Sequence, residues 1–170
     1  MAENKSSLIK FAMHYGLLMG LYWAFKYLFF ILSFYYPVLN GVYIGMTFFV
    51  PVVAYFFSVK YREQIGGVIT FGHAWQLGVY LYLFAALIVS LLHYVYYQFV
   101  LPPGMLVDIY SQLTDYIRDN MTLSPEMSEL LDGLKTPTPI QMTLQGIANN
   151  VFYGIILSIP IALAVRRKAI

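Results

Sequence analysis

The sequence contains no cysteine, which excludes disulfides, thiol nucleophiles and thiolate metal sites. Charge is scarce too. Charged residues make up 11% of the chain and hydrophobic ones 60%, whereas about 25% of a soluble domain is charged. A Walker loop, an H-E-x-x-H helix, a G-x-S-x-G elbow and a dinucleotide fingerprint are all missing, so none of the corresponding phosphate, zinc or acyl-transfer chemistries is written in a recognisable motif. The long apolar runs hold no carboxylate, which weighs against proton-coupled transport. No cofactor, no metal and no nucleic-acid partner is expected.

What is present is apolar sequence gathered into runs of the roughly twenty residues needed to cross ~30 Å of hydrocarbon. Four such runs are expected, at about 8–34, 42–59, 71–100 and 140–165, in one integral-membrane domain covering 1–170. The first exceeds a signal-peptide core and no A-x-A-like cleavage site follows it, so it reads as a span. Within it Ala12, Gly16, Gly20 and Ala24 recur every four residues, a small-residue seam against which another helix can pack closely. Pro51 removes a backbone donor inside the second run and predicts a kink. Tyr35, Tyr36 and Tyr43 form one interfacial belt with Tyr94, Tyr96 and Tyr97.

Leu101-Pro-Pro-Gly104 ends the third run, and 101–139 forms the only substantial polar loop. Leu106, Ile109, Tyr110, Leu113, Tyr116 and Ile117 keep helical spacing, as do Met127, Leu130, Leu131 and Leu134 after Ser124-Pro125, predicting two short amphipathic helices. Thr138-Pro139-Ile140-Gln141 reads as a capping box that starts the fourth run. That run carries Gln141, Gln145 and Asn149 in one series and Gly146, Asn150, Gly154 and Ser158 beside it. Amides cannot find partners in lipid, so these side chains are expected to face protein, water or headgroups.

The hinge between the second and third runs reads Lys60-Tyr-Arg-Glu-Gln-Ile-Gly-Gly-Val-Ile-Thr-Phe-Gly-His-Ala-Trp75. Its Tyr61-Arg62, Gly66-Gly67 and Ile69-Thr-Phe-Gly-His-Ala-Trp75, followed by a long aliphatic helix closing on tyrosines, resemble a family of small four-span bacterial membrane proteins catalogued as a domain of unknown function, number forty-one ninety-nine. The resemblance would cover nearly the whole chain. It implies an inner-membrane location and genomic neighbours that include polyprenol-phosphate glycosyltransferases, and it carries over no catalytic or binding residue. Gln often stands in that family where this chain has His73, and with Thr70 it would complete a reciprocal capping box. Here Thr70 can accept from the His73 amide, while imidazole is a poorer return donor.

Lys26 is the one cation deep inside an apolar run, Lys10 standing at its start, and is placed to snorkel toward the outer interface beside Tyr22, Trp23 and Tyr27 or to meet an anionic headgroup or acidic loop residue. His73 and His93 stand twenty residues apart, ~30 Å along one helix, and cannot share a metal. His14 and His73 lack a nearby carboxylate. Three readings follow. The first is a non-catalytic membrane subunit or scaffold whose seams and outer loop bind lipid or a membrane partner, with Gly16, Gly20, Gly146, Asn150 and Gly154 packing helices and Lys26, Arg62, His73 and Asn149 making polar contacts. The second is a small homo-oligomeric transporter or pore lined by the fourth-run amides. The third is a lipid-modifying enzyme using Arg62, Glu63 and His73, or an accessory to a polyprenol-phosphate glycosyltransferase.

Lys5, Lys10, Lys60, Arg62, Arg166, Arg167 and Lys168 fall on one side of a four-span arrangement, against Arg118 and Lys135 on the other. The positive-inside rule then sets both termini and the hinge in the cytoplasm. With no native cysteine to interfere, Gln64→Cys and Ile170→Cys are expected to resist an impermeant thiol reagent in intact cells while Asn120→Cys reacts. Reaction of all three, or protection of position 120 alone, contradicts this topology.

Overall fold

The computed structural model describes residues 2–102, 104–133 and 135–167, with the side chains of 2–6 left aside. Leu134, Lys168 and the Lys5 side chain, all used above, lie outside the described residues. Every long element is an α-helix: α1 (Ala2–Ser33), α2 (Val38–Gln64), α3 (Phe71–Val95), α4 (Met105–Asn120), α5 (Pro125–Asp132) and α6 (Pro139–Val165), with a π-helical turn over Tyr96–Val100. Four segments, Ser7–Ser33, Val38–Gln64, Phe71–Val100 and Pro139–Val165, are long and apolar enough to cross a membrane. In hydrocarbon every backbone N–H and C=O must be met internally, and a helix does so within one segment. Three hydroxyls in the spans are met in the same way: Thr47, Ser58 and Ser90 donate to the carbonyls of Tyr43, Ala54 and Leu87.

Two boundaries differ from the sequence expectation. The second helix begins at Val38 and continues to Gln64, instead of covering 42–59. Pro37 supplies a helical φ of −53° at its entry, and at its exit Tyr61 and Arg62 are buried, so packing carries the helix a turn beyond its apolar run. The turn itself is correspondingly short. Gly66 and Gly67 take φ of +96° and +82°, a region glycine enters without steric cost. Their amides cap the carbonyls of Glu63 and Arg62.

Residues Met1–Leu92 and Gln145–Ile170 form one compact unit. Its core runs along α3, where Ala74, Leu77, Leu81, Tyr82, Ala85, Ala86 and Val89 are all buried. They meet Ala12, Met19 and Trp23 of α1, Val50 and Ala54 of α2, and Ile161, Ala162 and Val165 of α6. Small residues permit the close approach. A Cβ at Gly16 would fall 2.5 Å from that of Phe84, and one at Gly20 would fall 2.6 Å from that of Ile88. On α3's other flank, a Cβ at Gly78 would strike Ser158 and one at Gly154 would strike Tyr82.

The second unit, His93–Leu144, holds the two amphipathic helices. Gly104 turns the chain into α4 at φ +86°, and the Ser124 side chain caps α5 by accepting from the Met127 amide. Arg118 pairs with Asp132. Ile109, Leu113, Tyr116, Met127 and Leu130 remain exposed. Thr138 and Gln141 make both capping-box bonds, at 2.8 and 3.4 Å, as the fourth run's start signal predicts.

The seams generate a graded prediction. Gly16→Ala or Gly20→Ala forces a methyl into Phe84 or Ile88 and is expected to cost about 1–3 kcal/mol, the range of overpacked cores. Gly45 of α2 has nothing within 4 Å of a would-be Cβ, so Gly45→Ala should leave detergent thermostability unchanged or raised. Equal behaviour of the three variants contradicts the seam.

Candidate functional site

Two clusters of polar side chains stand out in the larger unit, one at the hinge and one inside the bundle. At the hinge, the Tyr61 hydroxyl and His73 Nε2 lie 3.0 Å apart, joining the end of α2 to the start of α3. Thr70 Oγ1 accepts from the His73 amide at 3.3 Å. The Arg62 guanidinium donates to the Val165 carbonyl at 3.0 Å. That carbonyl belongs to the last turn of α6, where acceptors lack intrahelical partners and the helix dipole favours a cation. Ile69 and Arg167 exchange two backbone hydrogen bonds of 3.1 Å each. The hinge is therefore fastened to the far end of the chain.

The second cluster surrounds a cavity of about 280 Å³ lined by Trp23 and Lys26 of α1, Thr47, Val50 and Pro51 of α2, Tyr82 of α3, and Asn150, Tyr153 and Leu157 of α6. Lys26 Nζ donates to Thr47 Oγ1 at 3.0 Å. It also lies 5.9 Å from the centre of the Trp23 ring and 5.1 Å from that of Tyr43, within cation–π range. Trp23 and Tyr82 are 4% and 1% exposed, and the Trp23 Nε1–H and the Tyr82 hydroxyl have no hydrogen-bond partner. The lining is rich in donors and contains no carboxylate. Such a cavity can hold an acceptor-bearing group.

The residues singled out in the sequence separate accordingly. Lys26 and Asn150 come together at the cavity. Gly16 and Gly20 lie against α3, as does Gly154, while Gly146 is half-exposed. Asn149 points to the outside of α6, where its Oδ1 accepts from Gln145 Nε2 at 3.0 Å on an exposed face. Arg62 and His73 each hold a different partner, and Glu63 is exposed. His14 is exposed and packs edge-on to Tyr15. Among the described residues no three His, Cys, Asp or Glu side chains converge as metal ligands.

Sequence reasoning passed over Trp23, Thr47 and Tyr82 as cavity residues and Tyr61 as the partner of His73. A signal was available: buried Trp and Tyr carry an N–H or O–H that calls for a partner, and Trp23 precedes Lys26 by one helical turn. What could not be read was which other helix supplies the facing wall.

These spans and this bundle define a multi-pass α-helical membrane protein. Residues 14–167 match the family model described as "Protein of unknown function (DUF4199)", and the chain belongs to that family. No curated protein and no solved structure matches it.

Proposed function

We propose that this chain is a non-catalytic subunit of the bacterial inner membrane, acting as one integral-membrane domain that binds a second membrane protein through the outer face of α6. The observation that carries the reading is the exposed Gln145–Asn149 pair within a membrane span. Asn149 stands ten residues after Pro139, ~15 Å along the helix, near the middle of a ~30 Å hydrocarbon layer. The pair satisfies one donor and one acceptor mutually, and its remaining amide groups need partners that lipid does not supply.

The internal seams support this choice of surface. Gly16, Gly20 and Gly154 already pack on α3, whereas the α6 exterior, flanked by exposed Phe152 and Tyr153, is a polar span face open to a partner. A membrane interhelical hydrogen bond averages only ~0.6 kcal/mol, so recognition needs the flanking aromatics as well as the amides.

The test uses cysteine cross-linking in native membranes. Asn149→Cys is expected to give an adduct with one different polypeptide, and adding Gln145→Leu should weaken it. Adducts formed only between copies of the chain would replace the subunit reading with self-assembly. Reaction of both Asn149→Cys and Asn150→Cys with small aqueous thiol reagents in folded protein would establish a water-lined path instead.

A further inference from the structure

The cavity between α1, α2, α3 and α6 carries a separate inference, which shares Tyr153 with the α6 outer face and rests on other residues. We propose that it is a binding site for a singly charged oxyanion headgroup on an apolar chain, the class that includes anionic phospholipids and fatty acids.

The charge argument comes first. Lys26 lies seven residues before the end of α1, ~10 Å along the helix. Among the described residues Arg118 pairs with Asp132, and no carboxylate pairs with Lys26. Its hydrogen bond goes to Thr47, whose own hydrogen is given to the Tyr43 carbonyl. A cation at membrane depth is costly unless a counter-charge or water reaches it.

The second argument is the hydrogen-bond inventory. Trp23 Nε1 is a donor only, and the Tyr82 hydroxyl can donate; both side chains line the cavity, both are more than nine-tenths buried, and neither polar atom has a partner. Buried donors left unmet are destabilising. Asn150 adds an amide to the same lining. An oxyanion answers a cation and several N–H or O–H donors together.

The walls decide what carries the anion. Val50, Pro51 and Leu157, with the rings of Trp23 and Tyr153, make much of the lining apolar. A volume of about 280 Å³ holds a headgroup and a short length of chain, with the remainder of an amphiphile outside. A zwitterionic headgroup would bring a second cation to a lining that has Lys26 and no acidic residue to meet it. The site therefore selects net negative charge.

The experiment uses the full chain in lipid nanodiscs. The protein has two tryptophans, so Trp75→Phe leaves Trp23 as a fluorophore in the cavity wall. Phosphatidylglycerol or phosphatidylcholine with brominated chains is titrated into unbrominated phosphatidylcholine. Brominated phosphatidylglycerol is expected to quench Trp23 at about tenfold lower mole fraction, equivalent to ~1.4 kcal/mol of preference. Lys26→Met should abolish the preference at unchanged thermostability, and Lys26→Arg should retain most of it. Tyr82→Phe keeps the ring against Gly154 and should reduce the preference about threefold, as expected for one hydrogen bond. It provides a second reading if Lys26→Met fails to fold. Equal quenching by the two lipids, or a preference that survives in folded Lys26→Met, overturns the proposal. Relief of quenching by millimolar inorganic phosphate would assign the site to a soluble anion and overturn the apolar-chain requirement.

Discussion

The larger unit depends on how closely α1 and α6 approach α3. Hydrocarbon gives helices little hydrophobic reason to associate, so association in lipid rests on van der Waals packing and on the few polar groups that lipid cannot satisfy. Both need short distances. Gly16 and Gly20 admit Phe84 and Ile88 from one flank of α3, and Gly78 and Gly154 admit Ser158 and Tyr82 on the other. Large side chains at these points would separate the helices and open the core formed by Leu77, Leu81, Ala85 and Ala162.

The polar features follow from that packing. With α6 held on α3, its last turn comes within reach of Arg62, and Arg167 can pair its backbone with Ile69. A charge-assisted hydrogen bond of this type contributes about 1.5–3 kcal/mol, and here it ties residues separated by 103 positions. Further along the spans the same approach leaves Trp23, Lys26, Tyr82 and Asn150 around one cavity. The exterior of α6 carries the Gln145–Asn149 pair away from both clusters. Internal sealing and an outward polar face are thus properties of a single helix.

Legibility in the sequence follows the range of the interaction. Span existence, the Thr138–Gln141 capping box, the Ser124 cap and the Thr70 cap of α3 depend on residues a few positions apart, and each could be read directly. Gly16 and Gly20 could be read as a seam, but nothing local names Phe84 and Ile88 as what fills it. The extension of α2 beyond its apolar run was not legible, because Tyr61 and Arg62 are met by His73 and Val165, which are distant in the sequence. The cavity was half visible: Lys26 announced itself as a cation in an apolar run, whereas Thr47 and Tyr82 are ordinary until α2 and α3 close around it. Asn149 and Asn150 are adjacent in sequence, yet one faces outward and the other lines the cavity, a division set by α6's rotation against α3.

The contact of Gly78 with Ser158 tests the central packing claim most directly, because one exchange can relieve it. Gly78→Ala alone should lower thermostability, since the new methyl meets the Ser158 Oγ and Cβ. In a Ser158→Gly background the obstruction is gone, and Gly78→Ala should become neutral or stabilising, by up to ~1 kcal/mol from helix propensity. A double-mutant cycle in detergent or nanodiscs is predicted to give a favourable coupling of about 1–3 kcal/mol. Additive losses, with Gly78→Ala equally harmful in both backgrounds, would contradict the close approach of α6 to α3.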